Sequence, residues 1–246
     1  MDKLLYVAMS GAKETMRAQA ANNHDLANAS TTGFRADLSA FRSQALSGPG
    51  YASRVYATNS SVGWDSAVGA EIPTGNPLDV AVRGPGYIAV QDANGKEAYT
   101  RAGDLHVDPT GQLLTATGHA VLGDGGPISV PPAATTSIAP DGTISIVPLG
   151  QTPKTSANVA RIKLVNPGEP ALTRGPDGLF RMSDGSDAPA DATVTLSSGM
   201  LESSNVNIAS AMVNMIELAR RYDLQIKSMR TAEDDASSAT KLLQSG

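Results

Sequence analysis

Two segments patterned for helix stand at opposite ends of this chain, and nearly everything between them is patterned for strands. That arrangement constrains the fold more than any single motif. Either the ends come together or two long amphipathic helices are left without an internal partner. In the first segment, residues 3–28, Leu5, Ala8, Ala12, Thr15, Gln19, Asn22 and Leu26 recur at alternating spacings of three and four, a heptad seam. Its second half is stocked with Asn, Ala and Thr where leucines are expected. Asn28 and the run Ser30-Thr31-Thr32-Gly33 then supply a stop, because their side chains compete for helical hydrogen bonds. Residues 207–243 carry the same period: Ile208, Met212, Met215, Ala219, Tyr222, Ile226, Met229, Ala236 and Leu243 follow one broad stripe, with Ile216 beside it. Asn205 or Asn207 is the N-cap candidate. At 1.5 Å per residue the helices would be about 40 and 55 Å long.

The middle, residues 75–190, reads as strands. "LDVAVRGPGYIAV" alternates apolar and polar positions and breaks at Gly84-Pro85-Gly86. Asp108-Pro109-Thr110-Gly111, Pro140-Asp141-Gly142 and Pro176-Asp177-Gly178 are turn signals followed by β-formers. Their regular recurrence predicts an antiparallel β domain or small barrel. The expected fold is α+β: long N- and C-terminal helices pairing as a discontinuous, coiled-coil-like core (1–34 and 205–246), a central antiparallel β domain (75–190), and an extended or hairpin connector (35–74 and 191–204).

Composition narrows the function more than it reveals it. Of 246 residues, 41% are hydrophobic and 17% charged, which fits a globular chain. A net charge of -5 gives no electrostatic reason to expect nucleic acid. No cysteine is present, so disulfides, thiol nucleophiles and thiolate metal sites are excluded. "MDKLLYVAMSGAKE" lacks the layout of a cleaved signal, and no apolar run approaches the ~20 residues of a membrane span. His24, His106 and His119 are the only imidazoles, none at a recognised metal-ligand spacing. His24-Asp25 could form an acid–base pair, but a solvated helix surface explains it better. Asp184, Asp187 and Asp191 lack the closing Glu and the spacing of a calcium loop. Gly123-Asp124-Gly125-Gly126 opens no helix and reads as a turn, not a phosphate cradle. The residues therefore predict no catalytic, cofactor or metal site.

Four blocks carry a resemblance. "LANASTTGFRA" (26–36) resembles the N-terminal signature of the flagellar rod and hook axial proteins. "PLDVAVRGPGYIAV" (77–90) and "YTRAGDLHVDPTGQLLTATGHAVLG" (99–123) resemble their central β-domain motifs, and "SGMLESSNVNIASAMVNMIELARRYDLQIK" (198–227) their C-terminal signature. Order and spacing agree along nearly the whole chain. Within the family a proximal rod protein fits better than a distal one, whose segment after the N-terminal signature is longer than "RADLSAFRSQALSGPGYASRVY". Two departures stand out: His24-Asp25 before Leu-Ala-Asn, and Ala102 where Asn is usual.

The resemblance implies a structural subunit whose terminal helices line the core of a helical tube and transmit torque. It would be exported unfolded, through the flagellar type III apparatus, to the periplasm-spanning basal body. Its partners would be other rod proteins and copies of itself, with no nucleic acid, cofactor or stable membrane insertion. The interface expected on this basis comprises the seam residues from Leu5 to Leu26, then Asn28, Thr32, Gly33, Phe34 and Asn205. It continues with Met212, Met215, Ile216, Ala219, Tyr222, Ile226, Met229 and Leu243. A distal rod or hook-like protein is the same-class alternative. A β-sheet ligand-binding module on a helical oligomerisation stalk is the alternative from another class.

Overall fold

The computed structural model describes residues 3–45, 55–150 and 155–244. The chain divides into two compact units, one of Met1–Ala29, Arg35–Ser66 and Val206–Gly246, the other of Ser30–Phe34 and Ala67–Asn205.

The first unit holds α1 (Lys3–Ala27), a hairpin of β1 (Asp37–Ala45) and β2 (Val55–Trp64), and α2 (Ile208–Gln244). The helices pack antiparallel: Asn22 Nδ2 donates to the Ala211 carbonyl at 2.9 Å, while Gly11 lies against Gln225 further along. Small residues set this contact. A Cβ on Gly11 would come within 3.0 Å of the Gln225 carboxamide, so the missing side chain leaves that amide its place in the seam. The buried seam of α1 runs through Ala8, Gly11, Thr15 and Ala18, continuing half-buried to Asn22 and Asp25. The seam of α2 runs through buried Ala211, Leu218 and Ala232 and half-buried Met215, Tyr222, Gln225 and Met229. The heptad is therefore present but rotated. Met212 and Ala219, expected inward, are exposed, and their neighbours Ala211 and Leu218 are buried instead. Side-chain size alone does not set the choice, since Leu218 is buried and the smaller Ala219 exposed. The antiparallel contact that brings Asn22 to Ala211 and Gly11 to Gln225 sets which face of α2 turns inward. Helix ends fall where the caps predict. Asn207 is the N-cap of α2, its Oδ1 accepting from Ser210 N–H at 3.0 Å. Asn28 ends α1, its Nδ2 donating to the His24 carbonyl at 2.9 Å.

Within the expected connector, β1 and β2 pair from Asp37↔Trp64 to Ala45↔Val55. The register shifts between Leu38 and Ser39, leaving Val62 as the extra residue of a bulge beside Gly63. The hairpin packs on α1. Residues 46–54, part of that connector, lie outside the described residues.

The second unit is built from short strands, antiparallel in every described pairing. In chain order these are β3 (Glu71–Pro73), β4 (Val80–Arg83), β5 (Tyr87–Gln91), β6 (Glu97–Thr100), β7 (Leu105–Val107) and β8 (Leu113–Thr115). Next come β9 (Leu122–Gly123), β10 (Gly126–Pro127), β11 (Ala133–Ile138), β12 (Thr143–Pro148) and β13 (Ala157–Arg161). The last are β14 (Leu164–Val165), β15 (Leu172–Arg174), β16 (Phe180–Met182), β17 (Thr195–Ser198) and β18 (Met200–Glu202). A five-stranded sheet of order β14-β5-β6-β16-β15 and a three-stranded sheet β11-β12-β13 contribute to one core, which includes Val80, Val82, Ile88, Val90, Ile144 and Ile162. The three turn signals each close a hairpin: β7–β8, β11–β12 and β15–β16. In each, the Asp side chain accepts from backbone N–H groups two residues on, as from Thr143 to Asp141, and the glycine takes positive φ. Gly123–Gly126 is a turn between β9 and β10, as read.

Candidate assembly surface

The close helix seam has a consequence on the outside of the first unit. With Ala, Gly and Thr inward on α1, many of the large apolar side chains of the unit are exposed. Tyr6 (57% exposed), Met9 and Met16 (56%) do so on α1. Ile208, Met212, Val213, Ile216 (70%) and Leu224 do so on α2, and Leu38, Phe41, Val55 and Val62 on the hairpin. Between the helices, Met9, Ala12, Met16 and Ala20 face Tyr222, Ile226 and Met229 across an open groove of about 470 Å³, with Lys13 and Arg17 beside it. Scattered exposed apolar residues are ordinary, but a run of them along two paired helices marks a contact surface.

The expected interface residues separate by burial and by unit. Leu5, Met212, Ile216 and Ala219 are exposed, and Gln19, Leu26, Met215, Tyr222, Ile226 and Met229 are half-buried on or beside the seam. Ala8, Ala12 and Thr15 are buried within the helix pair, where Thr15 Oγ donates to the Gly11 carbonyl at 2.8 Å. Asn22 and Asn28 spend their amides inside the chain, on Ala211 and His24. Thr32, Gly33, Phe34 and Asn205 belong to the second unit. The Leu243 side chain lies outside those described.

In that unit the signature segment Ser30–Phe34 meets a buried ion pair that the sequence did not announce. Arg101 and Glu202, 3% and 1% exposed in their side chains, join Nε to Oε2 at 2.7 Å. The guanidinium also donates to the carbonyls of Val82 (2.9 Å), Gly84 (3.0 Å) and Gly86 (2.7 Å), gathering the end of β4 and the turn into β5. The second Glu202 oxygen accepts from Gly69 N–H at 3.0 Å, and its backbone carbonyl accepts from Gly33 N–H at 2.8 Å. Asn205 N–H donates to the Phe34 carbonyl, and Asn205 Nδ2 to that of Ala67 at 3.0 Å. The Arg174 guanidinium lies 4.5 Å from the Phe34 ring centroid. Every segment by which the chain enters or leaves the unit is thus tied to Glu202 or its neighbours. Arg101 and Glu202 both fall inside the quoted blocks "YTRAG" and "MLESSN". No local pattern links them, because their contact spans 101 residues of sequence.

The acidic loop fares as expected for a polar surface. The Asp184 and Asp191 carboxylates cap Ser186 and Thr193 in tight turns, which holds both below the usual carboxylate range.

Comparison with known proteins agrees with these blocks. The family model for the flagellar hook protein FlgE/F/G D1 domain matches residues 81–146, and that for the flagellar basal body rod FlgEFG protein C-terminal matches residues 197–242. The flagellar basal-body rod protein FlgF of Escherichia coli (strain K12) is 45% identical over 249 residues, covering 99% of both chains. FlgF of Salmonella typhimurium (strain LT2) is 43% identical over the same length and coverage. The rod protein FlgG of Buchnera aphidicola subsp. Schizaphis graminum is 30% identical, over 86% of this chain and 88% of its own.

Proposed function

The chain belongs to the FlgF flagellar basal-body rod proteins, and from that premise we propose that it is a structural subunit of the proximal rod that assembles through its paired terminal helices. The helices pack into neighbouring helix pairs in a coiled-coil-like tube, and the tube carries torque from motor to hook. Partners are other rod proteins and copies of this chain. The chain reaches the basal body through the flagellar type III export apparatus. Its role requires packing and no chemical turnover.

The observation that carries this reading is the outward run of large apolar residues on α1 and α2. Fully burying a side chain of that size contributes about 1.5–3 kcal/mol. Covering Tyr6, Met16, Val213 and Ile216, each more than half exposed, would therefore contribute on the order of 4–7 kcal/mol per neighbour. The α1 surface and the α2 surface differ, so one subunit's patch meets a different patch on the next. Such a heterologous contact propagates as a helix when its rotation does not close.

Ile216→Asp tests the reading. At 70% exposure the substitution leaves the unfolding midpoint of the purified protein within a few degrees of wild type. In a strain lacking its own copy, the exported variant fails to enter basal bodies and swimming is lost, since the new carboxylate would be buried unpaired. Normal incorporation and swimming of Ile216→Asp would overturn the helix-face mechanism.

A further inference from the structure

Where α1 ends and β1 begins, three side chains converge that the sequence holds twelve residues apart. One ligand atom each from His24, Asp25 and Asp37 lies within 4.8 Å of the other two. We propose that these three residues bind a divalent transition-metal ion of the zinc class and thereby staple the start of the hairpin to the end of the helix.

The separation between the imidazole and one carboxylate fits zinc directly. Zinc holds imidazole nitrogen and carboxylate oxygen at about 2.0–2.2 Å in tetrahedral geometry, which sets neighbouring donors roughly 3.3 Å apart. His24 Nδ1 and Asp37 Oδ2 are 3.3 Å apart. The Asp37 backbone N–H donates to Asp25 Oδ1 at 3.0 Å, orienting the second carboxylate as supporting hydrogen bonds do around bound metals. Charge agrees as well. Two carboxylates and a neutral imidazole match a dication, and His24 sits in the last turn of α1, the negative end of the helix dipole. Asp25 and Asp37 also line a groove of about 290 Å³ whose other walls include Asn22, Asn214 and Glu217, leaving room for water to complete the shell. The half-exposed His24 gives an ion a path in. An imidazole donor selects against calcium and magnesium, which favour oxygen-only shells.

The test uses the full chain, prepared without a histidine tag and stripped of metal. Co2+ titration should produce visible d–d bands that saturate at one equivalent and are displaced by Zn2+, and Zn2+ should raise the unfolding midpoint. His24→Gln should weaken binding by more than about tenfold and abolish the midpoint shift. His106→Gln, an exposed residue of the other unit, should bind as wild type. Three results would each overturn the proposal: no bands and no shift at one equivalent, wild-type affinity in His24→Gln, or an equal midpoint shift from Mg2+ or Ca2+. None of them bears on the rod assignment, which the Ile216 variant tests separately.

Discussion

Replacing Arg101 by methionine removes the guanidinium while keeping most of the side chain's apolar length. What remains is a buried Glu202 carboxylate that has lost the guanidinium 2.7 Å from its Oε2, together with carbonyls at Val82 and Gly86 that lose their donor. Breaking a buried pair from one side costs about 3–5 kcal/mol, and each orphaned buried carbonyl adds about 1–3 kcal/mol. These costs overlap, and relief of the guanidinium's own desolvation offsets part, so the net expectation is about 4–7 kcal/mol. That is a large share of the roughly 5–15 kcal/mol that holds a domain of this size together. At about 3 °C per kcal/mol, the second unit should unfold some 12–20 °C lower. Calorimetry on the purified full chain reads the shift, with near-ultraviolet circular dichroism following the buried Tyr87 and Tyr99 as local reporters. The double variant Arg101→Met, Glu202→Gln separates the causes: a neutral amide can still accept from Gly69 and no longer needs a cation. It should recover at least half of the loss. A single variant melting within about 3 °C of wild type would refute the argument. So would a double variant no more stable than the single, because then the charge that Arg101 faces is not what costs the energy.

Two further perturbations address the same unit. Gly33 has φ +66, and a Cβ there would stand 2.4 Å from the Arg101 carbonyl carbon, so Gly33→Ala should expel residues 30–34 from their seat. Amide exchange should then accelerate in peptides covering 30–34, and unchanged protection would show that the seat tolerates the methyl group. Acid should weaken this unit through its aspartates. Burial alone would raise the Asp92 carboxyl, but N–H donors from Lys96, Arg181 and Asn94 outweigh it and hold the group below its ordinary value, while Arg181 lowers Asp177. A depressed folded pKa gives stability that is present above the unfolded value near 3.8 and is lost as pH falls through the folded one. Denaturant midpoints should therefore be flat above about pH 5 and fall below about pH 4, less steeply in Arg181→Met. A flat profile down to the acid limit would contradict the assignment.

Local chemistry was legible in the sequence, and long-range pairing was not. Asn207 and Asn28 cap helices because their side chains act within four residues, and the Asp-Gly turns close hairpins for the same reason. The meeting of Arg101 with Glu202, or of His24 with Asp37, depends on how separate segments fold back, and no short-range pattern records it. Helix existence was equally plain, and Met215, Tyr222 and Met229 lie on the seam of α2 as read, but Met212 and Ala219 were read one position off. Periodicity reports that a stripe exists. Which of two adjacent residues faces inward depends on the rotation at which the two helices meet, here with Asn22 on Ala211 and Gly11 against Gln225.

The polar, small-residue seam of α1 is what allows its outer surface to be apolar. Had Met9, Met16 and Ile216 filled the seam, the pair would have buried more area within the chain and presented a polar exterior. Seating Ala8, Gly11 and Thr15 there draws the backbones close enough for Asn22 to reach a carbonyl of α2, a directional contact that resists sliding in a way that methyl packing does not. Register is then fixed by few groups at little apolar cost. The large side chains left over are those that a neighbouring subunit can bury. Internal stability and external adhesion draw on the same limited set of apolar residues, and this chain keeps Leu218 for the seam while leaving Met16, Val213 and Ile216 on its outer surface.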